Sequence, residues 1–270
     1  MKCVLLAEPS FSSPCFFENF KENIDMTIIK TFLVFTFTIM AMIVLIPFGL
    51  LAFLLSLPGL KKPMSWVIYR MAQGWARVIV FITGCKMTVE GRENIPKKGA
   101  VCFASNHVGI FDIILALAFI NRPFGFIAKK ELAFLPFINM WIYILGGLFI
   151  DRKNIRKAIE TINSGIVKIQ KGNAMLIFPE GTRSKGRGLL PFRSGAIKLA
   201  TNSLAPIVPI AIYGSYEVFE KNYRVKAVPV RLIFCNPIET KDMTREDRRS
   251  NLVEQVRLNI EEALAAGNSN

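Results

Sequence analysis

The sequence is poor in histidine, and its cysteines form no recognisable pattern. One histidine occurs in 270 residues, and the five cysteines are scattered without a CxxC pair. A zinc site needs several histidine or cysteine ligands close together, so we predict no metal site. The cysteines also form no disulfide framework of the kind found in small secreted domains. We expect reduced, mostly buried thiols in a domain that faces the cytosol.

Acidic residues are too few to balance the basic ones. The chain has 34 lysines and arginines against 20 aspartates and glutamates, a net charge of +14. The first 25 residues carry −2 and the last 30 carry −1, so the body between them carries +17. A basic body suits nucleic acid, an anionic membrane or an acidic substrate. The sequence has no zinc-finger, helix-turn-helix or RNA-binding signature, so we predict membrane lipid and not nucleic acid as a partner.

Charge is absent from Thr31 to Leu60, a run of 30 residues. About 20 apolar residues are enough to span a bilayer, so this run is long enough to cross one. Pro47 and Gly49 lie in its middle and predict either a kink or a re-entrant hairpin. The run is too long for a cleaved signal peptide and too long to bury easily in a small domain. We therefore predict a membrane anchor.

A second helix is predicted from Met64 to Thr83. Arg70, Gln73 and Arg77 form one polar stripe on an otherwise apolar cylinder. The stripe favours a helix that lies in the membrane interface, although a helix packed on the main domain would show the same pattern. Bases follow the apolar run without an intervening acid, which places the C-terminal part on the cytoplasmic side. These bases are Lys61, Lys62, Arg70, Arg77 and Lys86.

Beyond Gly84 the sequence alternates between short apolar runs and helical patterns. Runs such as AMLIF and IVPIAIY are apolar without alternation, which is typical of strands buried on both faces. The predicted fold class is therefore α/β, with a largely parallel central sheet flanked by helices. Three parts follow: an N-terminal extension over 1–25 that we expect to be disordered, membrane-anchoring helices over 26–84, and a main domain over 85–270. Strands are predicted near 85–90, 100–105, 124–128, 147–151, 174–178, 207–213 and 230–235, and helices near 110–121, 131–145, 154–171, 193–203 and 244–265.

The single histidine lies in a segment that combines it with a carboxylate. The sequence NHVGIFD, residues 106–112, follows a predicted strand and precedes a predicted helix. At neutral pH histidine is well suited to remove a hydroxyl proton, and a carboxylate on its other nitrogen would fix its tautomer. Residues five apart on a helix point about 140° away from each other. His107 and Asp112 can therefore meet only if His107 lies ahead of the helix.

Two arginines also follow predicted strands. Arg152 ends GGLFIDR, and Arg183 lies within FPEGTRS. One guanidinium group can bind two phosphate oxygens through two parallel N–H donors. Gly181 has no side chain, so a ligand can approach its backbone closely. Lys185 and Arg187 fit equally well with a solvated surface or a patch for lipid headgroups.

Four motifs together resemble a known family. NHVGIFD resembles the NHxxxxD signature of the glycerolipid acyltransferase superfamily, and GGLFIDR, FPEGTRS and IVPI resemble its next three blocks in the same order. The resemblance covers roughly residues 86–235. FPEGTRS is closer to the pattern of acyltransferases that act on 1-acylglycerol-3-phosphate than to that of enzymes that act on glycerol-3-phosphate. The resemblance implies the glycerolipid acyltransferase fold for the main domain.

The resemblance also implies an activity and a set of site residues. A fatty acyl group would pass from acyl-CoA or acyl-carrier protein to the sn-2 hydroxyl of lysophosphatidic acid, giving phosphatidic acid for phospholipid biosynthesis without a cofactor or metal. His107 would be the general base, Asp112 would orient it, and Arg152 and Arg183 would hold the phosphate. The other expected substrate-binding residues are Asn106, Lys129 (or its neighbour Lys130), Glu180, Gly181 and Thr182. The expected location is a bacterial cytoplasmic membrane.

Three alternatives remain open at this point. The same fold could acylate another lysophospholipid or a lyso-amino-acid lipid. A hydrolase could pair His107 with Ser105, but the sequence has no GxSxG elbow. A non-catalytic basic membrane adaptor would bind in a salt-dependent way and would not need His107.

Overall fold

The computed structural model describes residues 14–55, 61–249 and 251–267, and within these ranges it contains one sheet of seven strands and nine α-helices. The strands are β1 Lys86–Glu90, β2 Val101–Ser105, β3 Gly125–Lys129, β4 Leu148–Ile150, β5 Ala174–Ile177, β6 Ile207–Tyr213 and β7 Pro229–Phe234. The helices are α1 Pro14–Leu55, α2 Lys61–Thr83, α3 Phe111–Phe119, α4 Ile138–Ile144, α5 Ile155–Gln170, α6 Ser194–Ser203, α7 Ser215–Val218, α8 Arg245–Arg249 and α9 Asn251–Gly267.

The sheet has the strand order β1-β7-β6-β2-β5-β3-β4. Strands β2 to β6 run parallel, whereas β7 is antiparallel to β6 and pairs in parallel with β1. The predicted α/β fold with a largely parallel sheet is therefore confirmed. Because β2 to β6 share one direction, their carboxyl ends lie along one edge of the sheet, where open α/β sheets bind ligands.

The strands are apolar throughout because both faces of the sheet are covered. In β2, Val101 and Phe103 pack into one hydrophobic cluster with α2 and α3, while Cys102 and Ala104 pack into a second cluster with α5, α6 and α9. Successive side chains of a strand point to opposite faces, so a strand buried on both faces has no polar positions. Cys85, Cys102 and Cys235 are free thiols, and Cys102 is fully buried.

One predicted helix is broken in the structure. We expected a helix near 131–145, but a short 3-10 helix over Lys130–Phe134 is followed by extended backbone at Leu135, and α4 begins only at Ile138. Pro136 explains the break, because a proline has no N–H to donate and disfavours helical backbone at the residue before it.

Helix α1 contains the long apolar run. Among the described residues it is the one helix long and apolar enough to cross a membrane, over Met26–Leu51 with a mean hydropathy of 2.4. It passes through Pro47 without turning back, so the re-entrant hairpin at that residue is not formed. Of the expected N-terminal extension, residues 14–25 belong to α1 and residues 1–13 lie outside the described part of the chain, as do 56–60 at the end of the apolar run.

Helix α1 contacts the main domain in its middle and near its C-terminal end. The Thr31 hydroxyl accepts a hydrogen bond from the Val225 N–H at 2.8 Å, and the Phe35 ring meets the Phe219 ring edge to face at 5.4 Å. Near the C-terminal end, a Cβ on Gly49 would lie 3.2 Å from the Trp141 indole. The opposite side of α1 leaves many large apolar side chains exposed.

Two residues of the polar stripe of α2, Gln73 and Arg77, contact the main domain, whereas Arg70 is exposed and donates to Gln73 within the helix. Gln73 is buried and donates to the Ile120 carbonyl at 2.9 Å, and Arg77 Nε donates to the Ala118 carbonyl at 3.0 Å. The Tyr69 hydroxyl also donates to the Ile120 carbonyl. The last carbonyls of a helix have no hydrogen-bond donors within that helix. Side chains of α2 donate to these carbonyls at the end of α3.

Candidate active site

His107 lies in the loop between β2 and α3, and Asp112 lies in the first turn of α3. The helix begins at Phe111, so His107 precedes it as the sequence required. His107 Nδ1 and Asp112 Oδ2 are 2.7 Å apart. The pair therefore meets across the loop, at the carboxyl end of the central strand β2.

Four donors surround the Asp112 carboxylate, whose side chain is fully buried. Oδ2 contacts His107 Nδ1 and accepts from the Val108 and Gly109 N–H groups at 2.7 and 3.0 Å. Oδ1 accepts from the Ser215 hydroxyl. An ionised carboxylate can only accept hydrogen bonds. A neutral imidazole can therefore donate to Asp112 only if its proton is on Nδ1. Nε2 is then the nitrogen with a free lone pair, and His107 lines a cleft.

The FPEGTRS block supports His107 from behind. The Phe178 ring stacks on the imidazole with centroids 4.0 Å apart, and Glu180 Oε1 accepts from the His107 N–H at 2.6 Å. Glu180 Oε2 accepts from the Leu190 N–H at 3.0 Å, and burial raises the pKa of this carboxyl. The Ser184 N–H in turn donates to the His107 carbonyl at 2.7 Å. Glu180, expected in the substrate pocket, is thus buried behind the loop that carries His107.

The Asn106 side chain is hydrogen-bonded to a neighbouring strand of the sheet. Its amide exchanges two hydrogen bonds with the backbone N–H and carbonyl of Ile212, both of 2.8 Å, and its side chain is buried. These contacts connect the end of β2 to β6 and hold the base of the loop that carries His107. Asn106 does not line the cleft, although we expected it to bind substrate.

The cleft beside His107 has a volume of about 920 Å³ and combines an apolar wall with basic residues. Five of the expected site residues line it together with His107, namely Lys129, Arg152, Gly181, Thr182 and Arg183. The apolar wall includes Ile113, Phe126, Ile150, Ile155, Ile159 and Ile177. Such a cleft suits a ligand that has both a hydrocarbon part and a negative charge.

Arg152 is accompanied by a second arginine that sequence reasoning did not assign to the site. Arg193 lines the same cleft. Burial lowers the pKa of Arg152, and the nearby positive charge of Arg193 lowers it further. Arg152 Nη1 donates to the Gly181 carbonyl. Gly181 has φ +67°, and a Cβ there would lie 2.8 Å from Arg193 Cδ, so this position needs glycine. Two like charges facing one cleft favour an anionic ligand.

The structure distinguishes between Lys129 and Lys130. Lys130 Nζ pairs with Asp151 Oδ2 at 2.6 Å and does not line the cleft. Lys129 lines the cleft, with Nζ 3.3 Å from Glu131 Oε1 and more than half of its side chain exposed. Lys129 is therefore the lysine available to a ligand.

Two serines near the site have different surroundings. Ser105, the candidate nucleophile of a hydrolase, is buried and donates to the Asn106 carbonyl. Ser215, which sequence reasoning missed, donates to Asp112 and not to His107. Neither serine contacts the imidazole, so the site lacks the serine–histidine contact of a serine hydrolase. Only the position of Ser215 just after β6 could have indicated its role, because β6 ends at the same sheet edge as β2.

We predict that Ser215→Ala lowers kcat for the acyl transfer proposed below by roughly tenfold, as expected for loss of one hydrogen bond to a charged group. Asp112 would keep its other three donors, so the fold should persist. Steady-state kinetics and thermal unfolding of the purified protein test this. Ser203→Ala is the control, because Ser203 is also buried but donates only within α6. Equal kinetic effects of the two substitutions would contradict the prediction.

Comparison with known proteins agrees with these observations. Residues 86–213 match the family model described as acyltransferase. The 1-acyl-sn-glycerol-3-phosphate acyltransferase of Borreliella burgdorferi is 30% identical over 194 residues, which cover 72% of this chain and 78% of that protein. The enzyme of the same name from Saccharomyces cerevisiae is 30% identical over 242 residues, covering 86% and 78%.

A solved structure shares the fold. The crystal structure of the 1-acyl-sn-glycerophosphate acyltransferase PlsC from Thermotoga maritima aligns with a TM-score of 0.75 at 24% identity, covering 92% of this chain and 97% of that one. This likeness supports the architecture, and the sequence relatives support the family. The chain belongs to the family of the 1-acyl-sn-glycerol-3-phosphate acyltransferases.

Proposed function

We propose that this protein transfers a fatty acyl group from acyl-CoA or acyl-carrier protein to the sn-2 hydroxyl of 1-acylglycerol-3-phosphate, producing phosphatidic acid. The observation that carries the proposal is the position of the His107–Asp112 pair beside a cleft that is both apolar and basic. The family membership supports the same reaction. In this scheme the acyl donor is a substrate, and the chemistry uses no cofactor or metal.

The reaction follows from the tautomer of His107, whose Nε2 has a free lone pair. Nε2 removes the proton of the sn-2 hydroxyl while the hydroxyl oxygen attacks the thioester carbonyl carbon. Asp112 stabilises the imidazolium that forms. The tetrahedral intermediate then collapses, its C–S bond breaks, and the leaving thiolate takes the proton from His107. The hydroxyl attacks directly, so no acyl-enzyme is formed.

The basic residues of the cleft account for the choice of acceptor. Arg183 and Arg152 would bind the phosphate of lysophosphatidic acid through paired N–H donors, and Lys129 would add a third positive charge near the phosphate or the thioester oxygen. The apolar wall would hold hydrocarbon chain. Gly181 and Thr182 would shape the pocket between the arginines and His107.

The exposed apolar side of α1 supports attachment to a membrane. Most residues of Met26–Leu51 are not buried against the rest of the protein, which leaves a long hydrocarbon surface exposed. We propose that this surface enters the bilayer, so that the acceptor can reach the cleft while its acyl chain stays in or near the membrane. The bases that follow α1 in the sequence predict that the catalytic domain faces the cytoplasm.

The proposal is tested by acyl transfer from oleoyl-CoA and from acyl-carrier protein to lysophosphatidic acid in detergent. Formation of phosphatidic acid from either donor supports it. If neither donor gives product, the acceptor assignment fails, and a panel of other lysophospholipids and lyso-amino-acid lipids tests the related alternative. The adaptor alternative predicts no product from any acceptor and membrane binding that weakens with salt.

Arg183→Ala is expected to raise the KM for lysophosphatidic acid roughly tenfold or more, because a charge-assisted contact to phosphate is lost. The same substitution should change the KM for 1-acylglycerol, which has no phosphate, by less than about twofold. Arg187→Ala is the matched control, since Arg187 is a nearby base that does not line the cleft. A similar loss with both acceptors would contradict the role of Arg183 in phosphate recognition.

A further inference from the structure

The segment after β6 packs closely against the loop that carries His107. We call residues 214–220 the clamp segment; it includes α7 and none of the four sequence blocks. At one end, Ser215 donates to Asp112. In the middle, a Cβ on Gly109 would lie 3.1 Å from Tyr216 Cα, so the two backbones are nearly in contact. The catalytic loop is therefore held from a side that the four blocks do not provide.

Glu220, at the other end of the clamp segment, joins two parts of the site. Its Oε1 lies 2.6 Å from Arg183 Nη1, and its Oε2 accepts from the Ile110 N–H at 2.5 Å. The Glu220 side chain is only 13% exposed, whereas that of Arg183 is 40% exposed. A mostly buried carboxylate thus holds one end of a guanidinium whose remaining surface is open to the cleft.

The two contacts of Glu220 serve different elements. Ile110 directly precedes α3, and its N–H is one of the donors that a helix start leaves without a partner inside the helix. A carboxylate there also interacts favourably with the helix dipole. Arg183 has five N–H donors, and Glu220 engages one of its terminal nitrogens, which leaves other donors for phosphate. One side chain thereby sets the position of Arg183 relative to the loop of His107.

We propose that Glu220 is a positioning residue that places Arg183 for the phosphate of the acceptor and fixes the distance between that phosphate and the general base. This inference rests on the proposed function. Without Glu220, Arg183 would sample several rotamers, and the phosphate would bind less tightly and in less productive positions. Glu220 itself contacts neither substrate nor the transferred group.

The test compares Glu220→Gln with Glu217→Gln in the full-length protein. Glutamine keeps the shape and can still accept from the Ile110 N–H, but it removes the ion pair with Arg183. Glu217 is the matched control, because it lies in the same segment and pairs only with exposed Lys221. We expect Glu220→Gln to raise the KM for lysophosphatidic acid roughly tenfold, within the range of coupling between contacting charged residues, and to leave the KM for the acyl donor within about twofold. Glu217→Gln should change neither.

Two further measurements separate positioning from a general loss of structure. In an Arg183→Ala background, Glu220→Gln should have almost no additional effect on KM, because both substitutions remove the same interaction. Equilibrium binding of lysophosphatidic acid in detergent should weaken by a similar factor in Glu220→Gln, and this readout does not depend on turnover.

The outcomes distinguish this inference from the function on which it rests. If the wild-type protein binds lysophosphatidic acid but transfers no acyl group, the proposed function fails, while weaker binding by Glu220→Gln still supports the positioning role. If wild type is active and Glu220→Gln matches it, the positioning role alone fails. A lower KM in Glu220→Gln would show that the carboxylate competes with phosphate, and equal effects on donor and acceptor would show a structural role. Both results would overturn the inference.

Discussion

Replacing His107 with alanine is expected to lower the rate of acyl transfer by roughly a hundredfold or more, the usual contribution of a general base. His107 is the only histidine of the chain, and its Nδ1 is held by Asp112 while its ring lines the cleft. Among the described residues that line the cleft there is no carboxylate and no second histidine that could take over the proton. Initial rates with lysophosphatidic acid and oleoyl-CoA, at saturating concentrations of both, measure the effect on kcat.

The folding of this variant must be checked separately, because the imidazole also stacks on Phe178. Thermal unfolding should show a modest loss of stability, and membrane binding should be unchanged, since α1 is far from the substitution in sequence and carries the exposed apolar surface. A variant that retains a tenth or more of the wild-type rate would refute the general-base role. A variant that binds membranes normally but has lost turnover would also exclude the adaptor alternative.

Asp112→Asn is expected to lower kcat by roughly a thousandfold, although it changes only one oxygen into an NH₂ group. The carboxylate accepts from four donors, and its two oxygens both have donors as neighbours. An asparagine amide must direct its NH₂ group at Ser215 or at the cluster of His107 Nδ1 and two backbone N–H groups. The Ser215 hydroxyl can turn to accept from the NH₂ group, whereas the two backbone N–H groups can only donate, so the amide oxygen stays beside His107 Nδ1. The variant therefore loses the negative charge that stabilises the imidazolium in the transition state.

The measurement is kcat as a function of pH, together with thermal unfolding. Asp112 is fully buried, so its replacement should also destabilise the protein by about 1–3 kcal/mol, the cost of leaving buried donors without a partner. Asp247→Asn is the control, because Asp247 makes a comparable contact to Thr244 at the surface. An Asp112→Asn variant with a kcat within tenfold of wild type would mean that the reaction does not depend on the negative charge of this carboxylate.

The strands were predicted closely because their physical requirement is local in the sequence. AMLI and IVPIAI are buried on both faces, so almost every residue in them is apolar, and the run ends where the strand leaves the core. The helices near 110–121, 154–171 and 193–203 also lie where the sequence predicted them. Pro136 is the exception, because its local effect on the backbone outweighed the apolar pattern of the expected helix over 131–145.

The site was predicted less completely because contacts between distant segments are not written in any local pattern. The motifs identified the loop with His107 and Asp112 and most of the residues that line the cleft. They did not indicate that Asn106 and Glu180 point away from the cleft. The sequence at the end of a strand does not show which side chains face a ligand and which bind the backbone of a neighbouring segment. Ser215 and Glu220 were missed for the same reason, as they contact Asp112 and Arg183 from 103 and 37 residues away.

The sequence by itself determined the class of fold, the long apolar helix and the family, because buried strands, an uncharged run and four ordered motifs each leave a signature among neighbouring residues. Only the tertiary structure decided that Gln73 and Arg77 of α2 donate to carbonyls at the end of α3, and that Lys129 rather than Lys130 lines the cleft. The physical reason is common to both. Which polar group a side chain meets depends on how separate elements pack, and the free energy of that packing comes from contacts across the whole domain.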